Sequence, residues 1–153
     1  MNLARIAEHK DIDALVRIEA LTFSKDKYHV LTRRNYHYLL TKANAEIWVF
    51  EIESQICASA ILFYRKGVNF VRLYSIAVLP EYQGRGFGSN LLSCIEAWLR
   101  NNGFSEIRQE VRYDNISLIN RYKKDGYLKY GVVVNYYPDG ASCIKLKKVL
   151  SDV

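Results

Sequence analysis

Between residues 83 and 88 the chain reads Gln83-Gly84-Arg85-Gly86-Phe87-Gly88, with glycine at every second position. No other stretch limits the fold so tightly. Glycine takes positive φ without strain and lets a backbone approach a ligand closely. Ile76, Ala77 and Val78 before the loop read as the end of a strand. Leu91, Leu92, Ile95, Trp98 and Leu99 after it recur at helical spacing. The loop therefore joins a strand to a helix whose first N–H groups have no partner within the helix. The helix dipole adds partial positive charge there. A phosphate or pyrophosphate is the natural ligand, and a turn without a ligand is the alternative. A P-loop needs glycines five apart followed by Lys, but Ser89 and Asn90 stand at those places. A dinucleotide fingerprint needs Gly or Ala where Ser89 stands.

The periodicity around the loop outlines the rest of the chain. Residues 11–23 predict a helix, with Ile12, Leu15, Val16 and Leu21 on its apolar stripe and Asp11 as N-cap. Residues 32–40 predict a second helix, with Asn35 and His37 on its polar side. Residues 46–53, 55–65 and 69–78 read as strands, and Lys66-Gly67-Val68-Asn69 turns between the last two. The helix after the loop starts near Ser89 and stops at Gly103. Residues 106–112 form a strand with Ile107, Gln109 and Val111 on one face and Arg108, Glu110 and Arg112 on the other. A short helix, 115–124, ends at Gly126. Strands 127–137 and 142–149 close the chain around Pro138-Asp139-Gly140. Helices, then strands, then β-α-β-α-β indicate an α/β domain with a mixed sheet. No repeat or linker interrupts the chain, so residues 1–153 are expected to form a single domain.

Composition excludes several classes. Half of the 153 residues are hydrophobic and 25% are charged, a globular balance rather than that of a disordered tail. The longest apolar runs, such as residues 58–64, fall short of the ~20 residues a membrane span needs. Residues 1–10 carry Arg5, Glu8 and Lys10, so no signal-peptide core is expected. Cys57, Cys94 and Cys143 are odd in number and far apart. Neither a disulfide framework nor a metal site is expected, and a cytoplasmic location follows. The net charge of +6, from 22 basic and 16 acidic residues, favours anionic partners or merely keeps the domain soluble.

Gln83-Gly84-Arg85-Gly86-Phe87-Gly88 resembles the acetyl-CoA loop of the GNAT superfamily of N-acetyltransferases, written Q/R-x-x-G-x-G/A. The lead-in Ile76-Ala77-Val78-Leu79-Pro80-Glu81-Tyr82 fits that family too. Asn115, Leu118, Tyr122 and Gly126-Tyr127 are similar to its N-x-x-x-x-x-L-Y-x-x-x-G-F signature, with Arg121 in place of Leu and Tyr127 in place of Phe. Asn135-Tyr136-Tyr137-Pro138 and Glu110-Val111-Arg112 resemble the branch that acetylates the N-terminal alanine of a ribosomal protein. The resemblance implies a GNAT-like fold, a mixed and mostly antiparallel sheet flanked by helices on both faces. It also implies acetyl-CoA as acetyl donor. Ile76, Ala77 and Val78 would offer backbone groups to the pantetheine arm. Gln83, Gly84, Arg85, Gly86, Phe87, Gly88 and Ser89 would hold the pyrophosphate, and Asn115 and Tyr122 would meet the thioester end. Arg85, Lys123 and Lys124 would add charge near the phosphates.

Acetylating an amine requires removal of a proton from the ammonium, donors for the oxyanion, and a proton for the departing thiolate. The resemblance implies Glu110 as base, directly or through a water, and Tyr122 as acid. By strand pattern alone, Glu110, mid-strand between Arg108 and Arg112, also reads as part of an exposed cross-strand ion ladder. The N–H of Val78 is the expected oxyanion donor. A cysteine nucleophile is the rival mechanism, although Cys57 and Cys94 read as small core residues. Tyr28, Tyr136 and Tyr137 are expected to contact the acceptor. The ribosomal-protein branch has Pro-Trp after the first helix, where this chain reads Phe23-Ser24-Lys25-Asp26-Lys27-Tyr28. The acceptor therefore stays open between a peptide N-terminus and a small-molecule amine. A non-enzymatic module binding CoA or RNA is the remaining alternative. Neither a membrane nor a nucleic acid is expected as a partner.

Overall fold

The computed structural model describes residues 2–42 and 44–150. The elements run β1 (Asn2–Ile6), a 3-10 turn (His9–Asp11), α1 (Ile12–Thr22), α2 (Arg33–Thr41), β2 (Ala45–Ile52), β3 (Gln55–Tyr64), β4 (Phe70–Val78), a second 3-10 turn (Pro80–Tyr82), α3 (Phe87–Asn101), β5 (Glu106–Arg112), α4 (Ile116–Lys124), β6 (Leu128–Val133) and β7 (Cys143–Val149). The strands make one seven-stranded sheet in the order β1-β2-β3-β4-β5-β7-β6. Only β4 and β5 run parallel. A parallel pair needs a crossover, which the glycine loop and α3 supply. Alternation along β2 sends Ile47 and Val49 to one face, where Leu15 of α1 and Tyr36 and Leu39 of α2 pack on them. Trp48 and Phe50 go to the other face, in a core with Leu91, Ile95 and Leu99 of α3 and Ile119 and Tyr122 of α4. This is the expected mostly antiparallel sheet covered by helices on both faces.

The structure corrects the sequence reading in several places. The pattern shows no strand before residue 46, yet β1 pairs with β2 from Asn2↔Ile52 to Ile6↔Trp48. Five residues at a sheet edge carry too little alternation to be read. Asp11 stands at the N-cap position of α1 as expected, but its carboxylate makes no cap hydrogen bond and instead receives Arg5 of β1 at 2.8 and 3.0 Å and the N–H of Glu8 at 2.8 Å. The ion pair outcompetes the cap. Leu21 is 51% exposed, and the buried stripe of α1 is Ile12, Leu15, Ile18 and Glu19. Helix α3 begins at Phe87 rather than near Ser89, because Gly86 caps it. Cys94 is exposed, not a core residue. Strand β6 ends at Val133 instead of reaching Tyr137. Asn135 takes φ +55°, and the N–H groups of Tyr136 and Tyr137 both donate to the Ala141 carbonyl, at 3.0 and 3.1 Å. Those two tyrosines therefore sit on a compact loop.

Trp98 lies at the rim of α3 against Trp48, and Glu96 takes a buried position instead. Its carboxylate accepts the Tyr127 hydroxyl at 2.6 Å and Lys148 Nζ at 2.9 Å. The hydroxyl that distinguishes Tyr127 from Phe thus ties α3 to the far half of the sheet. Tyr127→Phe is expected to cost about 2 kcal/mol, the range for one hydrogen bond to a charged group. A lowered thermal midpoint with an unchanged acetyl-CoA Kd would bear this out.

One irregularity positions the site. The β3–β4 register runs from Leu62↔Leu73 to Ile61↔Ser75, so Tyr74 is an extra residue in β4. Such a bulge bends the strand that carries it. Pairing of β4 with β5 stops at Leu73↔Gln109. Beyond the bulge residues 75–78 pair with β3 alone, and a slot opens through the sheet.

Candidate active site

A cavity of about 930 Å³ occupies the slot, within the usual range for small-ligand sites. One end is built by β4 and the loop after it. Ile76, Ala77 and Val78 line the wall, with Gln83, Gly84, Gly86, Phe87 and Gly88 above them. The Gln83 side-chain amide donates to the Val78 carbonyl at 3.0 Å and folds the loop back on its strand. Gly84 and Gly86 have φ of +80° and +82°, and a Cβ on either would stand in open space. At Gly88 a Cβ would lie 3.1 Å from Val78 Cγ2, so α3 approaches β4 only because no side chain intervenes. Gly86 supplies no side-chain cap, and the Asn90 N–H bonds the Gly86 carbonyl at 2.9 Å. The N–H groups of Phe87, Gly88 and Ser89 precede that bond and have no acceptor within the helix. Free strand edge, open glycine positions and unclaimed N–H groups together suit a pantetheine pyrophosphate.

Glu110 and Tyr122 line the same cavity from opposite faces of the sheet. Alternation in β5 sends Ile107 and Val111 into the core under α4 and Glu110 the other way. The Glu110 carboxylate pairs with Arg72 of β4 at 2.9 and 3.3 Å, and Arg72 also donates to the Tyr136 hydroxyl at 2.8 Å. The expected cross-strand pair thus forms, with Arg72 of β4, but the side chain is largely buried and neither flanking arginine of β5 shares it. Arg108 pairs with Glu106 and lies over the Phe70 ring, while Arg112 pairs with Asp114 and Asp139. Tyr122 is buried beside Tyr127, with ring centroids 5.2 Å apart. Burial pushes its hydroxyl up to about 12, against smaller opposing effects of the Arg121 charge and the Gln109 amide. It keeps its proton at any physiological pH. Asn115 lines the cavity too and caps α4, its Oδ1 accepting the Leu118 N–H at 3.4 Å.

The family model described as Acetyltransferase (GNAT) family matches residues 12–127. This chain belongs to that family. It is an acetyltransferase. It is 28% identical over 142 residues to the [Ribosomal protein bS18]-alanine N-acetyltransferase of Escherichia coli (strain K12), covering 90% of this chain and 88% of the relative. It is 27% identical over 152 residues to an N-alpha-acetyltransferase of Sulfurisphaera tokodaii, covering 89% and 86%. The crystal structure of the ribosomal-protein-S18-alanine N-acetyltransferase from Escherichia coli superposes with a TM-score of 0.88 over 100% of this chain and 96% of that one, at 24% identity. At that identity the superposition speaks for the fold.

The other end of this GNAT cavity is aromatic. Ring centroids step from Phe23 to Tyr28 (5.0 Å), Tyr28 to Tyr137 (5.5 Å) and Tyr137 to Tyr136 (5.0 Å). Tyr28, Tyr136 and Tyr137 thus meet although two loops carry them. Arg112 joins those loops. It is buried, donates to both Asp139 oxygens, to Asp114 at 3.0 Å and to the Lys27 carbonyl at 3.4 Å, and faces the Tyr28 and Tyr137 rings. Arg112 holds the Asp139 carboxyl down to about 2, so the clasp stays charged at neutral pH.

Other residues lie elsewhere than expected. Arg85 stacks over Tyr82, and Arg85, Ser89, Lys123 and Lys124 are not among the cavity's lining side chains, whereas Arg121 is. Cys57 and Cys143 are buried, burial pushes both thiols up, and no cysteine lines the cavity among the described residues. The sequence reading missed Arg72, the Arg112–Asp139 clasp and Glu19. Glu19 accepts the Leu31 N–H and the Tyr36 hydroxyl, each at 2.9 Å, and so holds the loop after α1. A carboxylate four residues after Leu15 on an apolar stripe was the available signal. Nothing local announces a pair 27 residues apart.

Proposed function

We propose that this chain transfers an acetyl group from acetyl-CoA to the α-amine of a peptide or protein N-terminus. The observation that carries the reading is a carboxylate and a buried, protonated phenol lining one slot from opposite faces of the sheet. Backbone groups of Ile76, Ala77 and Val78 would pair with the pantetheine arm as an edge does with an added strand. The N–H groups of Gly84, Arg85, Gly86, Phe87, Gly88 and Ser89 would hold the pyrophosphate, and Asn115 the thioester end. Arg85 acts here through its backbone, since its side chain is engaged with Tyr82. A carboxylate offers about four lone-pair sites, so the Arg72 pair leaves Glu110 room to take the ammonium proton, directly or through one water. The amine nitrogen then bonds the acetyl carbon, with the Val78 N–H facing the oxyanion. The C–S bond breaks, Tyr122 gives its proton to the sulfur, and the second proton shed by the nitrogen as the amide forms restores the phenol. The three free cysteines suit a reducing cytoplasm.

The relatives named for a ribosomal-protein alanine and for N-alpha-acetylation support a peptide amine. The aromatic wall supports it as well, since stacked rings with hydroxyls can flank an extended chain. Peptides with a free N-terminus are expected to release CoA with a higher kcat/KM than polyamines or small primary amines. The reverse order would overturn the acceptor class and leave the reaction standing. Tyr137→Ala or Tyr28→Ala is expected to raise the peptide KM about tenfold, equivalent to about 1.4 kcal/mol of lost binding. The acetyl-CoA Kd should hold; a change confined to acetyl-CoA binding would put the acceptor at the wrong end of the cavity.

A further inference from the structure

Gln109 is only 4% exposed, and its Nε2 is one of two buried side-chain polar atoms without a hydrogen-bond partner among the described residues. Its neighbours on the same face of β5, Ile107 and Val111, are core residues. A leucine there would continue the stripe at similar volume and leave no donor unpaired, and an unpaired buried donor is costly. The position is also particular. Gln109 is the last residue of β5 paired with β4, so it stands at the vertex of the slot and lines the cavity together with Tyr122. A donor in the cavity wall beside Tyr122, left without an acceptor, fits a ligand atom that gains negative charge there.

We propose that Gln109 is a second donor to the leaving sulfur, its Nε2–H bonding the thioester sulfur and then the CoA thiolate beside the Tyr122 hydroxyl. This rests on Tyr122 serving that sulfur. As the nitrogen–carbon bond forms, the C–S electron pair moves to sulfur. Tyr122 delivers a proton to sulfur, Glu110 holds the first proton taken from the ammonium, and the second, shed as the nitrogen becomes an amide, returns to the Tyr122 oxygen. Gln109 transfers nothing; its N–H dipole stabilises the charge while the proton moves.

The test uses Gln109→Leu, which keeps volume, with Gln109→Glu, which keeps shape and replaces the donor by an acceptor. CoA and desulfo-CoA serve as probes in calorimetric titrations. Wild-type protein is expected to favour CoA, and Gln109→Leu to narrow the ratio of the two Kd values about tenfold, the value of one hydrogen bond to a charged group. The thiol pKa of bound CoA, read from thiolate absorbance, should rise by about one unit, because a donor to the thiolate has been removed. The ligand-free Gln109→Leu protein should melt no lower than wild type, separating the effect from misfolding. Gln109→Glu should narrow the ratio further. A wild-type ratio and thiol pKa in Gln109→Leu would overturn the proposal. Tyr122→Phe measured alongside distinguishes the cases. If it alone raises the thiol pKa, Gln109 has no part. If neither variant does, the role given to Tyr122 falls as well.

Discussion

Glu110→Gln is expected to lower kcat by about 10²–10⁴, the usual worth of one acid–base group. Glutamine keeps the size and can still accept a bond from Arg72, which pairs with Glu110 at 2.9 Å, so the wall of the site should stand. What it loses is the capacity to hold the ammonium proton. Raising the pH should return part of the rate, because an α-amine with a pKa of about 8 deprotonates in bulk water. Tyr122→Phe should also cut kcat, but alkaline buffer should help it less. The proton it lacks is needed by the thiolate, and a more basic medium does not supply one. The wild-type profile should show no alkaline fall from Tyr122 up to about pH 10, since burial holds its hydroxyl near 12. The two losses should not add if the groups serve one step. Profiles at saturating acetyl-CoA decide the matter. A wild-type rate in Glu110→Gln would return that residue to holding Arg72, and a wild-type rate in both would remove the pair.

Gly86→Val should abolish the rise in thermal midpoint that acetyl-CoA gives by mass action. Two effects act together. At φ +82° a β-branched residue is strained. Its Cβ would also enter open space at the start of α3, where the N–H groups must come close to a phosphate. Gly88→Val is a useful contrast, because its Cβ would meet Val78 Cγ2 at 3.1 Å and should loosen the packing of α3 on β4 as well. A folded Gly86→Val protein with undiminished acetyl-CoA affinity would sink the assignment of the loop. Equal stabilisation of the wild type by NAD or ATP would point to another ligand class.

What was legible in the sequence, and what was not, follows from the range of the interactions involved. Strands β2 to β5 and helices α2 to α4 announce themselves through periodicity, since each buries a face over several turns or pleats. Strand β1 does not, because its place at the edge depends on Arg5 reaching Asp11 and Glu51. Nor does the loop holding Tyr136 and Tyr137. An apolar run from 132 to 134 reads as a continuing strand, and only the left-handed turn at Asn135 and the Ala141 carbonyl show where it stops.

The sequence by itself determined the glycine-loop end of the cavity. A glycine loop between strand and helix has its chemistry within six consecutive residues, and Asn115 and Tyr122 lie on one short helix and its cap. Only the tertiary structure decided how Glu110 and Tyr122 come to line one cavity. Strand alternation alone would leave Glu110 and Tyr122 on opposite faces of an unbroken sheet. The extra residue at Tyr74 ends the β4–β5 pairing after Leu73↔Gln109, and through that gap both groups line one cavity. The aromatic wall is equally a product of the fold. Arg112 and Asp139 draw together two loops that are distant in the chain, because a buried guanidinium must find carboxylates wherever the sheet brings them within reach.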